Sequence, residues 1–316
     1  MRVLVPDPVP AGALGAMPSE IELVPVGDGP LPAETADARM AVLAGSMPRR
    51  VREIVDAAPR LEVLQTVSAG VDWLVGRVPD GVTVCNASGV HDTPVAEWVV
   101  AAILAMTRKF PDFLALQERG EWDQGINSFV GGRVTSPLWP IPDLDGARVL
   151  ILGHGSIGRA VEARLAPFGA TVTGIARHAR PGVHALSEAH ALAAEADVVV
   201  VLLPLTPETD GVVDGAFLDA MRPGALLVNA GRGRHVDTEE LMARLRAGRV
   251  RAALDVTDPE PLPDGHPLFA CPGVLITPHV AGATERWLER ALRLAGDQIR
   301  RFAAGEPLVN VRAEGY

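Results

Sequence analysis

The fold of this chain is decided by residues 148–180, which read RVLILGHGSIGRAVEARLAPFGATVTGIARHAR. An apolar run, RVLIL, leads directly into three glycines in the order G-x-G-x-x-G, namely Gly153, Gly155 and Gly158. The residues that follow have helical periodicity, and a second strand-like run, TVTGIA, begins at Thr171. This order predicts a strand, a tight turn, a helix and a second parallel strand, as at the start of a doubly wound α/β domain.

The three glycines point to a dinucleotide phosphate site. The first permits a tight turn, the second lets the backbone approach a pyrophosphate, and the third lets helix and strand pack closely. The N-terminus of the helix then offers free N–H groups and a partial positive charge. A glycine turn with a purely structural role is the alternative, but the flanking strand, helix and second strand favour dinucleotide binding.

The end of the second strand indicates which dinucleotide is preferred. An acid about 20 residues after the glycines would accept hydrogen bonds from the adenosine ribose and select NAD. Arg177 stands at that interval, with His178 and Arg180 beside it. Basic side chains pair with a 2′-phosphate, so we expect NADP(H) to be preferred, with NAD(H) possible. A solvated run of surface charges is the alternative interpretation.

The rest of the chain predicts a second α/β domain. Up to about residue 97, short apolar strands such as RVLV, AVLAG and VTVCNA alternate with helical stretches, which is typical of a parallel sheet flanked by helices. At 316 residues, of which 48% are hydrophobic, the chain is large enough for two cores. We expect residues 1–97 and 285–316 to form a substrate-binding domain and residues 98–284 to form the dinucleotide-binding domain.

Composition excludes several classes of function. A net charge of −10 opposes nucleic-acid binding. No window reaches the ~18 apolar residues of a membrane span, and the opening MRVLVPDPVP does not resemble a signal peptide, so we expect no membrane partner and a cytoplasmic location. Cys85 and Cys271 have no CxxC partner and are expected to be buried thiols. The histidines lack the paired spacing of a zinc site, so no metal is expected.

Three further strand ends carry polar residues that suit one reaction. They are LLVNAGRGRHVD with Arg232, ALDVTDPEP with Glu260, and ITPHVAGAT with His279. Ligands of open α/β sheets bind outside the carboxyl ends of the strands, so these residues should converge. Arg232 can hold a carboxylate and polarise the adjacent carbonyl, although a structural salt bridge is the alternative for this residue alone. His279 can exchange a proton, and Glu260 can orient the imidazole and favour its charged form. With a nicotinamide as hydride carrier, this set predicts a reductase of 2-oxo acids.

Five ordered motifs, GHGSIGR, VVVVLLPLTPET, LLVNAGRG, ALDVTDPEPLPDGHPL and ITPHVAGAT, resemble the D-isomer-specific 2-hydroxyacid dehydrogenase family. The resemblance covers residues 60–310 well and the first 60 only by pattern. It implies two Rossmann-like or flavodoxin-like α/β domains with parallel sheets, the nucleotide-binding domain being inserted in the catalytic one, and a homodimer. The family's catalytic arginine, glutamate and histidine fall on Arg232, Glu260 and His279.

The resemblance also implies roles for other residues. It places Asp255 on the nicotinamide carboxamide, and VSAGVDWL matches a loop whose Ala69 and Gly70 N–H groups should bind the substrate carboxylate. Arg232 and His279 complete the set of substrate-binding residues. Asn86 and Glu97 match a hinge-side segment. Two residues depart from the family pattern. His154 stands where the family usually has a small or apolar residue, and Thr257 stands where it often has an aromatic residue. The remaining positions implied along the cofactor are Gly153, His154, Gly155, Ser156, Ile157, Gly158, Leu203, Pro204, Thr209, Ala230, Gly231 and Gly282.

The substrate is left open by the sequence. A reductase of glyoxylate or hydroxypyruvate is the leading interpretation, while formate, phosphite or phosphoglycerate dehydrogenases use the same scaffold. A nucleotide-sensing, corepressor-like binding protein is the alternative outside the enzymes. Loops around residues 45–50, 68–74 and 122–139 are expected to shape the pocket, and such loops vary freely on one fold. Candidate wall residues are Met47, Arg49, Arg50, Trp73 and Trp122, for which a surface or core position is the alternative.

Overall fold

The computed structural model describes residues 1–45, 47–126 and 134–312. The chain divides into two compact units, Met1–Asp92 with Thr284–Tyr316, and Thr93–Ala283. The domain boundaries expected from the sequence, 97/98 and 284/285, stay a prediction.

Thirteen strands, eight α-helices and seven short 3₁₀ helices are present in the described part of the chain. In chain order they are β1 (Arg2–Pro6), β2 (Glu22–Val26), β3 (Ala38–Leu43), α1 (Val51–Ala57), β4 (Val63–Thr66), β5 (Thr83–Cys85), α2 (Asp92–Thr107), α3 (Phe110–Glu118), β6 (Arg148–Leu152), α4 (Ser156–Leu165), β7 (Thr171–Ala176), β8 (Val183–Ala185), α5 (Ala189–Ala193), β9 (Val198–Val201), α6 (Gly215–Ala220), β10 (Ala225–Asn229), α7 (Thr238–Arg246), β11 (Val250–Leu254), β12 (Val274–Ile276), α8 (Trp287–Ala303) and β13 (Val311–Arg312).

The first unit contains a six-stranded sheet in the order β13-β5-β4-β3-β1-β2. Strands β1 to β5 are parallel and follow the 2-1-3-4-5 order of flavodoxin-like folds. The exception is β13, which pairs antiparallel with β5 at one edge. The predicted parallel sheet is therefore confirmed, with one short antiparallel strand added by the C-terminal segment.

Helix α8 packs on the sheet of the first unit. Its Leu292 and Ile299 join the core that contains strand residues of β1 and β3. Buried Gln298 donates to the side chain of Gln65 in β4 at 3.0 Å and to the Val309 carbonyl at 2.8 Å. These bonds fix both α8 and the segment before β13 to the sheet.

The second unit contains a seven-stranded parallel sheet in the order β12-β11-β10-β9-β6-β7-β8. Numbered within the unit, this is the doubly wound order 3-2-1-4-5-6 with one strand added. The order reverses between β6 and β9, where such folds open a crevice for ligands. The predicted α/β fold class is confirmed.

The central strands of this sheet are buried on both faces. All four residues of β9 are buried, and Val199 and Val201 pack in one core while Val198 and Val200 pack in the other. Side chains alternate between the faces of a strand, so an unbroken valine run requires cover on both sides. The polar residues of the predicted site therefore lie in the loops that follow the strands.

The cysteines are buried and free, as predicted. Burial raises the pKa of the Cys85 thiol to about 11, although a hydrogen bond with Gln298 opposes the shift. Within the described ranges, no helix is both long enough and apolar enough to span a membrane.

Candidate active site

The glycine loop after β6 is built from close backbone packing. Gly153 has φ +103°, and a Cβ placed on it would lie 2.5 Å from the carbonyl carbon of Leu202. A Cβ on Gly158 would lie 2.7 Å from the carbonyl oxygen of Gly153. No side chain fits at either position, so the first and third glycines are required by the protein's own packing.

The second glycine has a different surrounding. Gly155 is the N-cap of α4, and a Cβ on it would meet no heavy atom within 4 Å. Packing within the chain therefore gives no reason for glycine there, whereas a ligand approaching the start of α4 would. The residues of this loop fit a dinucleotide pyrophosphate, with Ser156 and Ile157 in the first turn of the helix.

The basic loop after β7 exposes Arg177, His178 and Arg180. The Arg177 guanidinium lies 3.5 Å from the carboxylate of Glu208, and more than half of each side chain is exposed. An exposed pair of this length contributes at most about 1 kcal/mol, because water screens both charges. A phosphate can therefore compete for Arg177.

Arg180 has a contact that the sequence did not predict. Its Nη2 donates to the backbone carbonyl of His154 at 2.6 Å, so the basic loop is tied directly to the glycine loop. The guanidinium has five donors, and one bond leaves others available. The structure thus gives Arg180 a place in the support of the glycine loop, in addition to the cofactor contact that we predicted.

His154, the departure from the family pattern, is buried. Its Nε2 lies 2.7 Å from the carboxylate of Glu162 in α4, and a Cβ placed on Gly174 would lie 2.6 Å from its ring. The large side chain is therefore accommodated by a glycine in the neighbouring strand. A glycine inside the run TVTGIA was the sequence signal for such a close approach.

The three predicted catalytic residues follow three neighbouring parallel strands. Arg232 follows β10, Glu260 follows β11 and His279 follows β12. The structure brings two of them into contact, with Nδ1 of His279 2.5 Å from Oε1 of Glu260. Both side chains are partly exposed, so a ligand can reach the imidazole.

Two fully buried side chains, those of Asn229 and His235, hold the backbone around Arg232 by hydrogen bonds. Asn229 donates to the Arg232 carbonyl at 2.9 Å and accepts from the Gly231 N–H at 3.0 Å. Nδ1 of His235 accepts from the Arg232 N–H at 3.1 Å, while Nε2 lies 3.3 Å from the Pro204 carbonyl. His235 was missed in the sequence, where most of the other histidines were expected on the surface or in loops.

The Arg232 loop also packs on the Glu260 loop. A Cβ on Gly233 would overlap the carbonyl of Thr257, so the two backbones touch. Thr257, the second departure from the family pattern, donates through its hydroxyl to the Pro259 carbonyl at 2.9 Å. The loop that carries Glu260 is thereby braced in the absence of the family's aromatic residue.

The other predicted cofactor positions line the same strand ends. Asp255 is 2% exposed, and its carboxylate faces the loop that contains His279. The Thr209 hydroxyl is buried and donates to the Pro204 carbonyl at 2.7 Å, so it stabilises a turn. Leu203 and Gly231 are buried, while Ala230 and Gly282 are partly exposed.

In the first unit, hydrogen bonds to backbone carbonyls hold the loop that is predicted to bind the substrate carboxylate. Asn86 donates to the Ala69 carbonyl at 2.5 Å, and the Trp73 indole donates to the Gly70 carbonyl at 3.2 Å. In a trans peptide the C=O and the following N–H point in opposite directions, so the Gly70 N–H points away from Asn86. This orientation is compatible with the expected role of the loop.

Of the candidate wall residues, Met47 has the core position that was left open as its alternative, since it is fully buried in the first unit. Arg50 pairs with Glu53, and Trp122 is 75% exposed. Glu97 lies on α2, 4.0 Å from Arg164. Ser46 and residues 127–133 of the predicted pocket loops lie outside the described residues. No cluster of three or more metal-ligating side chains occurs in the ranges that the structure describes.

Several known proteins are similar to this chain. Glyoxylate reductase/hydroxypyruvate reductase of Mus musculus is 33% identical over 98% of this chain and 96% of its own length. D-3-phosphoglycerate dehydrogenase of Mycobacterium bovis is 34% identical over 96% of this chain, which spans 57% of that enzyme.

Two solved structures match nearly the whole chain. A D-isomer specific 2-hydroxyacid dehydrogenase from Xanthobacter autotrophicus Py2, in complex with NADPH and MES, is 32% identical, with a TM-score of 0.80 over 99% of this chain and 100% of that one. An NADPH-dependent glyoxylate/hydroxypyruvate reductase from Sinorhizobium meliloti, in complex with NADP and sulfate, is 28% identical, with a TM-score of 0.81 over 100% and 99%.

Residues 100–281 match the family model described as D-isomer specific 2-hydroxyacid dehydrogenase, NAD binding domain. This match covers more than half of the chain and includes the glycine loop and the three strand ends. The chain belongs to the D-isomer-specific 2-hydroxyacid dehydrogenase family.

Proposed function

We propose that the protein reduces a small 2-oxo acid, such as glyoxylate or hydroxypyruvate, to its D-2-hydroxy acid with NADP(H). The observation that carries the proposal is the contact between His279 and Glu260 at the carboxyl edge of the parallel sheet, where Arg232 follows the next strand. A hydrogen-bonded imidazole and carboxylate beside an arginine suit proton transfer to a substrate that carries a carboxylate.

Each of the three side chains has a separate task in the proposed reaction. Arg232 binds the substrate carboxylate and polarises the neighbouring carbonyl. In the imidazolium form of His279, Glu260 accepts from Nδ1–H, so the Nε2 proton is the one available for transfer. His279 then donates that proton to the carbonyl oxygen as it becomes a hydroxyl. A bound nicotinamide supplies the hydride.

The cofactor would be held by the loops described above. The residues from Gly153 to Gly158 and the start of α4 would hold the pyrophosphate, and Arg177 with His178 would pair with the 2′-phosphate. Support for NADP(H) comes from the exposed basic loop and from the two similar proteins that were crystallised with NADPH or NADP. In the first unit, the N–H groups of Ala69 and Gly70 would bind the substrate carboxylate.

We also propose that the protein forms a homodimer and acts in the cytoplasm. Exposed apolar side chains in the second unit support an interface, namely Phe110, Leu114, Trp122 and Trp139. Size-exclusion chromatography with light scattering measures the mass of the particle, and cell fractionation tests the location. A monomer at micromolar concentration contradicts the first of these proposals.

The decisive experiment is a panel of 2-oxo acids assayed with NADPH and with NADH. We expect turnover of small 2-oxo acids, faster with NADPH, and a kcat about 10²- to 10⁴-fold lower in His279→Gln. The matched control is His184→Gln, because His184 forms a similar contact with Glu188, at 2.9 Å, in β8, which lies at the opposite edge of the sheet from β12. The control should keep wild-type activity, and equal losses in both variants would contradict the role of His279.

The same panel tests the alternatives. Oxidation of formate, phosphite or 3-phosphoglycerate, without reduction of 2-oxo acids, would identify another enzyme of the same scaffold; the similarity to phosphoglycerate dehydrogenase makes the last of these the main competitor. Tight nucleotide binding without any turnover would favour a nucleotide-sensing protein.

A further inference from the structure

Asp255 accepts hydrogen bonds from several residues of the loop that contains His279. Its Oδ1 accepts from the Thr277 hydroxyl at 2.5 Å and from the Val280 N–H at 2.9 Å, and its Oδ2 accepts from the Ala281 N–H at 2.8 Å. Its backbone carbonyl accepts from the His279 N–H at 2.7 Å. Four hydrogen bonds therefore join one buried residue to the segment 277–281.

This segment holds His279 in an uncommon conformation. His279 has φ +54°, in the left-handed region that residues with side chains rarely adopt. Such a conformation persists only where the surroundings determine it. The bonds to Asp255 lie on both sides of His279, so they determine the backbone at that residue.

We infer that Asp255 is the positioning residue of His279, because its carboxylate holds segment 277–281 in the conformation that sets Nδ1 of His279 against Glu260. The inference rests on the proposed function of His279. A carboxylate suits this task, since each oxygen accepts strong bonds from N–H and O–H groups. The expected contact of Asp255 with the nicotinamide carboxamide is a separate role, and the two roles predict different results.

Asparagine at this position has nearly the same shape but one fewer acceptor. In Asp255→Asn, the amide NH2 faces either the Ala281 N–H or the Val280 N–H and the Thr277 hydroxyl, so in both orientations one backbone N–H of the segment loses its acceptor and meets another donor. We expect the segment to shift and kcat to fall about 10²-fold, as for catalytic groups displaced by about 1 Å. Binding of 2′,5′-ADP, which lacks the nicotinamide, should be unchanged.

The readout that does not depend on turnover is the ¹⁵N NMR spectrum of protein labelled at histidine. The His279 ring signal is assigned by its loss in His279→Gln. If Asp255 positions His279, this signal moves in Asp255→Asn towards its place in Glu260→Gln. Asp214→Asn is the matched control, because Asp214 caps α6 by accepting from the Phe217 N–H at 2.8 Å and has no bond to segment 277–281 among those described. The control should leave the His279 signal in place.

Thr277 gives a milder test in case Asp255→Asn does not fold. Thr277→Val removes one of the three donors to the carboxylate, and Thr277→Ser retains it. We expect a smaller loss of kcat and a smaller signal shift in the valine variant, with both restored in the serine variant. Equal behaviour of the two variants would overturn the inference.

The outcomes separate positioning from cofactor contact and from the proposed function. An unmoved His279 signal in folded Asp255→Asn, with NADPH binding weakened and 2′,5′-ADP binding intact, would show a carboxamide role only and overturn the inference. If the wild type reduced no 2-oxo acid, the proposed function would fail, but the NMR comparison would still decide whether Asp255 fixes the contact between His279 and Glu260.

Discussion

Replacement of Arg177 by alanine should weaken binding of a 2′-phosphorylated nucleotide and leave its unphosphorylated analogue unaffected. Arg177 lies in the loop after β7, where its side chain is 59% exposed. A well-formed charge-assisted hydrogen bond contributes about 1.5–3 kcal/mol, but exposed pairs contribute at most about 1 kcal/mol. For a side chain this exposed, we expect a loss of about 0.5–1 kcal/mol, which is a roughly two- to fivefold increase in Kd.

Calorimetric titrations with 2′,5′-ADP and 5′-AMP measure this effect without the nicotinamide. The difference should shrink as salt is added, since an exposed pair is screened. Arg108→Ala is the matched control, because Arg108 makes an exposed contact of the same length, 3.5 Å, with Asp143. It should leave both affinities unchanged.

Replacement of Glu208 should change the affinity for 2′,5′-ADP in the opposite direction to replacement of Arg177. Hydrogen bonding from the Thr206 side chain is the main cause that lowers the Glu208 pKa, with the charge of Arg177 contributing less. Glu208 is therefore ionised at neutral pH and competes with a 2′-phosphate for Arg177. Glu208→Gln should tighten 2′,5′-ADP and not 5′-AMP. Equal loss of both nucleotides in Arg177→Ala, or no change in either, would refute the assignment of the basic loop to the 2′-phosphate.

Four further predictions concern other parts of the second and first units. Arg232→Lys should raise KM for the oxo acid and lower kcat at unchanged NADPH affinity, because an ammonium cannot match a carboxylate bidentately; collapse of NADPH binding would mean a structural role. Arg180→Met should weaken the binding of both 2′,5′-ADP and 5′-AMP, because it removes the hydrogen bond to the His154 carbonyl; unchanged binding of 5′-AMP would contradict this. Reduction of a prochiral oxo acid should give the D product by chiral chromatography, and an L product would contradict the assignment. In Cys271→Ser, the remaining thiol, with its raised pKa of about 11, should resist maleimide at pH 8 until the protein unfolds, and rapid labelling would contradict its burial.

The parts of the fold that could be predicted are those that depend on local chemistry. The glycines at 153 and 158 have no room for a Cβ. Their presence in the sequence therefore predicts the geometry of the turn. The valine run at 198–201 is buried on both faces, which predicts a central parallel strand. Strand β13 has only two residues, too few to show an alternating pattern, so its antiparallel pairing depends on tertiary contacts alone.

The parts of the site that could not be predicted are contacts between residues distant in sequence. Arg180 donates to a carbonyl, and backbone acceptors leave no trace in a sequence. For Met47, which stands in a loop-like stretch, the sequence left a pocket wall and a core position open, and its side chain lies in the core of the first unit. Hydrophobic burial outweighs loop position there, since a buried methionine contributes about 1.5–3 kcal/mol.

The support of the predicted catalytic residues follows one physical rule on both sides of the site. Arg232 and His279 are open enough to meet a substrate, yet the groups that hold their backbones, Asn229, His235 and Asp255, are at most 2% exposed. Buried hydrogen bonds are costly to break because their groups would be left without partners, whereas exposed ones exchange with water. Buried hydrogen bonds to the backbone can therefore fix the position of a catalytic residue whose side chain is exposed. For this reason, we expect substitutions at the three buried residues to lower kcat more than substitutions of exposed ion pairs in the same unit.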